Sequence, residues 1–175
     1  MIHSNTRKLA PWKIELKRIL PLWGHRNWIV IADAAYPAQS NPGIETIATE
    51  ADHLVILKAM LAALKSSKHV RANIYLDSEL NWLTEEDAPG ATQYQRKLSR
   101  YFGNQDIKSL PHDKIIAKLD ASGKLFRVLI LKSTLTIPYT SVFLELDCGY
   151  WDSDAEKRLR DSMKKTFSRR KGAVD

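Results

Sequence analysis

The sequence predicts an α/β protein, a sheet with helices on its faces. Short apolar runs suited to strands alternate with longer helical segments over most of the chain, the pattern that builds such a sheet. Only the last two clear strand segments, 124–133 and 141–150, follow each other without a helix between them. The chain has 175 residues and is 44% hydrophobic, enough for one compact domain with a substantial core.

The elements follow in order. "PWKIELKRILPL", 11–22, reads as a first helix with Pro11 at its first position. Trp12, Ile14, Leu16, Ile19, Leu20 and Leu22 can form its apolar side, and Pro21 should end or bend it. Gly24 gives the chain room to turn into the strand "WIVIA", 28–32. "YPAQSNPG", 36–43, is a loop rich in turn residues. "ADHLVILKAMLAALKSS", 51–67, is a long apolar helix, and "VRANIYLDS", 70–78, a buried strand. A loop then passes into a helix from about residue 90 to 102. "QDIKSLP" is a short strand, and "HDKIIAKLDAS" is a helix starting near Pro111. The strands 124–133 and 141–150 enclose the loop "TLTIPYT". Residues 153–168 form a basic terminal helix, with "YWDSD", 150–154, as strand end and helix cap.

Composition narrows the function classes. A single cysteine, Cys148, rules out an internal disulfide and fits a reducing compartment. There is no apolar run of about 18 residues, so no membrane span is expected. The N-terminus lacks the apolar segment of a secretory signal, and the expected location is the cytoplasm. Net charge is +7, but residues 21–150 carry 14 basic and 14 acidic residues. The excess sits at the two ends, so a solvated basic helix is expected after residue 150 and nucleic acid is not the expected partner. A phosphate-binding loop, a GxSxG elbow and an HExxH pair are all absent, and no cluster has metal-ligand spacing. No cofactor or metal is expected.

Five polar residues stand out beside apolar elements. In an open α/β sheet, ligands bind beyond the C-terminal ends of the strands, where Asp33 and Tyr36 lie. Asp33 either serves a site or caps the following loop, and an unpaired carboxylate there would be costly. His25, after Gly24, either carries protons, caps the preceding helix or faces water. Seven residues separate His25 from Asp33, up to about 25 Å if extended, so they meet only through a chain reversal or a second subunit. His112 starts a helix, where the N-terminus favours a neutral imidazole able to give and take a proton. Tyr139 lies in the loop between two apolar strands, as a hydrogen-bond donor or a surface aromatic. His53 and His69 flank a helix as structural or exposed residues, and Cys148 belongs to the core.

"LPLWGHRNWIVIADAAYP" resembles the opening of the RbsD/FucU family, the ribose pyranases and fucose mutarotases. Those proteins begin with a helix, a Gly-His pair, an apolar strand, an Asp-Ala step and a nearby Pro. Gly24-His25, Ile29–Ala32, Asp33-Ala34 and Pro37 match in order and spacing. About a hundred residues on, "FRVLILKSTLTIPYTSVFLEL" resembles the family's closing strand–loop–strand with its Tyr. The resemblance spans roughly residues 10–150, specific at its ends and loose between.

It implies an RbsD-like fold: a Rossmann-like three-layer sandwich, its sheet mostly parallel, with helices on both faces. It implies domain boundaries at 1–150, with 151–175 as a basic helical extension. It also implies a ring-shaped homo-oligomer, commonly a decamer, binding monosaccharides near subunit interfaces without a cofactor. By resemblance His25 is the proton donor, and Asp33, His112 and Tyr139 bind sugar. Ser141 stands where the family usually has Asn two residues after that Tyr; it keeps a donor and an acceptor on a shorter arm. The implied activity is isomerisation of a free sugar by general acid–base catalysis. The competing readings are a sugar-binding protein without catalysis whose C-terminal tail recruits a partner, and an oligomeric scaffold with nucleic-acid-binding tails.

Overall fold

The computed structural model describes residues 9–171, with side chains described as far as residue 165. Six strands form one sheet: β1 (Trp28–Ala32), β2 (Ile44–Ala48), β3 (Val70–Asp77), β4 (Ile107–Leu110), β5 (Val128–Lys132) and β6 (Val142–Cys148). Five helices accompany them: α1 (Pro11–Ile19), α2 (His53–Ser66), α3 (Ala91–Phe102), α4 (His112–Gly123) and α5 (Ser153–Lys171). The strand order is β2-β5-β1-β6-β3-β4. The β2–β5, β1–β5 and β3–β4 pairs are parallel, and β6 runs antiparallel to both its neighbours. The sheet is therefore mostly parallel, with one reversed strand near its centre.

Alternation along β1 sorts the two cores, because successive side chains point to opposite faces. Ile29 and Ile31 join the core made with α1, α2 and α3. Trp28, Val30 and Ala32 join a second core with Tyr75, Phe143 and the Ile115/Leu119 stripe of α4. Every residue of β1 is buried, as expected of a strand covered on both faces.

Local chemistry sets the helix ends. Asp52 caps α2, its side chain accepting from Leu54 N and Val55 N. Pro21 has its expected effect: the α-helix stops at Ile19 and tightens into a 3-10 turn, Leu20–Leu22. Trp12, Leu16, Ile19 and Leu20 are buried, whereas Ile14 (54% exposed) and Leu22 (74%) face outward, so the apolar side is narrower than the pattern suggests. Asp152 Oδ1 accepts from Ala155 N at 2.7 Å, the cap expected from "YWDSD". Strand β2 has no counterpart in the sequence reading. It is a partly exposed edge strand paired only with β5, and "IETIA" carries too little apolar periodicity to announce itself. Among the described residues, no helix is long and apolar enough to cross a membrane.

Candidate functional site

The parallel strands deliver their C-terminal ends to one edge of the sheet, and β6 starts there because it runs the other way. Ile31 and Leu76 both pair with Val142, so Asp33, Asp77 and Ser141 reach this edge from neighbouring strands. The loop after β5 is fastened to the end of β1. Ser133 N and Oγ donate to Ala32 O at 2.8 and 2.7 Å, and Ala34 N donates to Leu135 O at 2.7 Å. Between these segments and the start of α4 lies an open cleft of about 450 Å³, lined among others by Asp33, Tyr36, His112, Ile137 and Tyr139.

Asp33 Oδ1 accepts from Ala35 N at 2.8 Å, and Oδ2 accepts from the buried Ser141 hydroxyl at 3.4 Å. The capping and binding readings of Asp33 are thus compatible: the turn fixes the carboxylate, which keeps lone pairs for a ligand hydroxyl. Ser141 is not on the cleft wall but backs Asp33. The His112 ring meets the Tyr139 ring edge-on, 5.7 Å between centroids, and Phe143 at 6.5 Å. Tyr139 has φ of 55°, a left-handed conformation that costs a non-glycine residue energy and is found where surroundings impose it.

Two supporting groups lie outside the candidate site residues read from the sequence. The first is Asp77, 1% exposed at the end of β3, whose Oδ1 lies 3.0 Å from His112 Nδ1. Burial raises Asp77 to a pKa of about 6 against the pull of His112. Its other oxygen, Oδ2, is buried without a hydrogen bond, as is the Tyr36 hydroxyl. Glu79, two residues on, accepts the His112 backbone N–H with both carboxylate oxygens, at 3.0 and 3.1 Å, capping α4 from outside the helix. A signal existed: "IYLD" ends an apolar strand on Asp just as "VIAD" does.

The second is a buried brace. His53 Nε2 contacts Ile31 O at 3.1 Å, its Nδ1 contacts the Tyr94 hydroxyl at 3.2 Å, and that hydroxyl reaches Thr140 O at 3.0 Å. It ties the end of β1 to the loop carrying Tyr139 and Ser141. Burial lowers the pKa of His53 to about 4, so this wholly buried histidine is structural and neutral.

His25 is not in the cleft. It rides on a tight turn, 24–27, where Gly24 N donates to Asn27 Oδ1 at 3.0 Å and Arg26 has φ of 71°. Arg26 N donates to Leu146 O, which puts the turn at the opposite edge of the sheet, beside Asp147. The strand between His25 and Asp33 spans about 17 Å. One chain therefore gathers Asp33, His112, Tyr139 and Ser141 and leaves His25 exposed at its far end.

Comparison with known proteins agrees with this architecture. The family model of the RbsD / FucU transport protein family matches residues 12–146, ending before α5. Among solved structures, Bacillus subtilis RbsD complexed with D-ribose is similar at 22% identity, covering 81% of this chain and 97% of that one, with a TM-score of 0.52. The fucose mutarotase from Streptococcus pneumoniae in complex with L-fucose is similar at 20% identity, covering 80% and 97%, with a TM-score of 0.52. At these identities the likeness shows the fold. No curated protein matches the sequence.

Proposed function

Because the chain belongs to the RbsD / FucU family, we propose that it interconverts anomers or ring forms of a free monosaccharide, ribose- or fucose-like, without a cofactor. The observation that supports this best is the convergence of Asp33, His112 and Tyr139 on one cleft from three segments far apart in sequence. A carboxylate, an imidazole and a phenol around a small open cleft suit a polyhydroxylated ligand.

The reaction needs one proton removed and one delivered. As the anomeric hydroxyl loses its proton, its oxygen forms a double bond to C1. The bond from C1 to the ring oxygen breaks, and the ring oxygen keeps that electron pair and takes up a proton. Rotation about the bond to C1 and reclosure give the other anomer; closure through another hydroxyl changes ring size. Acid–base assistance worth about 10²–10⁴-fold suits a reaction that already proceeds in water.

In this reading His25 is the proton donor, reaching the cleft from a neighbouring chain of a homo-oligomer, in the family manner a decamer. Asp33 and His112 hold hydroxyls, Tyr139 shapes the opposite wall, and Ser141 contributes from behind by donating to Asp33. Residues 1–150 form the sugar domain, and 151–175 are an extension to it. The alternative, sugar binding without catalysis, is favoured by one observation: the cleft of a single chain lacks His25.

Magnetisation-exchange NMR on ribose, fucose, galactose and glucose, with and without protein, tests the proposal. Faster exchange for one sugar, lost in His25→Ala with the fold intact, is the expected result. Binding without acceleration would select the alternative, and full activity in His25→Ala would remove that residue from the mechanism.

A further inference from the structure

Resting on that reading, we propose that His112 is the second proton-transfer residue, taking the anomeric proton, and that buried Asp77 is its positioning residue.

The geometry carries the assignment. A carboxylate only accepts hydrogen bonds, so the contact between Asp77 Oδ1 and His112 Nδ1, 3.0 Å long, puts the ring hydrogen on Nδ1. Nε2 is then the nitrogen with the lone pair, on the side of the ring away from Asp77. The half-buried imidazole lines the cleft. Its position is fixed three ways: the Asp77 bond, the double acceptance of its backbone N–H by Glu79, and the edge contacts with Tyr139 and Phe143.

Asp77 makes little sense as a stabilising residue. Burying a carboxylate is costly, and this one has a single hydrogen-bond partner, His112, with Oδ2 left unbonded. A histidine that merely holds a hydroxyl needs no such partner. One that becomes charged during turnover does. As Nε2 takes a proton the ring becomes an imidazolium, and the Asp77 carboxylate at Nδ1 offsets that charge. In the step itself, Nε2 takes the anomeric proton as the C1–ring oxygen bond breaks, and the ring oxygen is protonated from the His25 side. Reclosure returns both protons.

The charged and titratable groups facing Asp77 are His112 from α4, Glu79 from the turn after β3, and Asp33 and Tyr36 from the loop after β1. Since Asp77 titrates at about 6, protonating it removes the acceptor that holds Nδ1–H, and the rate falls as the pH drops through that value.

The test uses the full chain, the sugar that wild type accelerates, and two variants. Asp77→Asn keeps shape and removes charge. His112→Gln, at a half-exposed side chain, keeps hydrogen bonding but cannot take a proton, and it decides the matter if Asp77→Asn does not fold. Both are expected to lose about 10²-fold of the acceleration in kcat, with KM little changed. Asp77→Asn should also show a mixture of Nδ1–H and Nε2–H tautomers of His112 in 15N NMR, where wild type holds Nδ1–H alone. Active wild type with both variants as fast, or slowed through KM alone, would overturn this proposal and leave the functional reading standing. A wild type that accelerates no sugar would overturn both.

Discussion

Tyr94→Phe tests the brace beneath the candidate site. Neutral His53 donates Nε2–H to Ile31 O, so its Nδ1 can only accept, and the hydroxyl of Tyr94 is the donor facing it. The same hydroxyl oxygen also lies 3.0 Å from Thr140 O, so two buried acceptors share its one hydrogen. Replacing Tyr94 with Phe strands the imidazole nitrogen and weakens the carbonyl's partner. Leaving a buried acceptor unsatisfied costs about 1–3 kcal/mol, and the site is too enclosed for bulk water to compensate: His53 and Thr140 are both 0% exposed. We take about 2 kcal/mol. For a chain of this length that lowers Tm by about 4–8 °C. Urea unfolding should give a lower midpoint with an unchanged slope, because the surface exposed on unfolding is the same. The loop holding Tyr139 at φ of 55° loses one of its restraints, so sugar affinity should fall as well. A Tyr94→Phe protein within about 0.5 kcal/mol of wild type would refute the reasoning, since it would mean that neither acceptor relied on the hydroxyl.

Further outcomes follow from other contacts. His53 titrates at about 4 when folded and 6.5 when free, so the stability it confers above pH 6.5 is lost as the pH falls toward 4, about 3 kcal/mol in all. Asp77 works oppositely: its folded pKa of about 6 lies above the ordinary 3.8, so acid stabilises the fold by about 3 kcal/mol between those values. Wild-type stability should therefore stay nearly flat from pH 6 to 4, whereas Asp77→Asn should lose stability across that window; parallel urea-midpoint curves would refute this. Gly43→Ala would put a Cβ 1.9 Å from the backbone oxygen of Gly123, forcing the β2 entry away from the end of α4, with a loss of about 1–3 kcal/mol or more by thermal unfolding. Deleting residues 151–175 should leave sugar turnover intact and stability within about 1 kcal/mol, because the described side chains of α5 are mostly exposed and their ion pair is a surface one. A larger loss would make α5 part of the domain.

The alternation of apolar runs with helical segments determined the fold class, since each pattern buries itself in only one way against a sheet. It located β1, β3, β4, β5, β6 and the five α-helices. Asp33 and His112 were legible because a strand end and a helix start are local features, and Tyr139 and Ser141 because the family motif around them is local too. The strand order was not legible. Nothing near residue 128 says that β5 pairs with β1 rather than with β6, its neighbour in sequence; that choice rests on burial of both sheet faces by the whole chain. Strand β2, half-exposed at an edge, carries too few apolar residues to be read locally. Asp77 meets His112 across 35 residues, and Tyr94 meets Thr140 across 46, only after parallel strands bring their ends to one edge. A hydrogen-bond partner supplied by another strand leaves no periodicity in the sequence, so those pairings belonged to the tertiary structure alone.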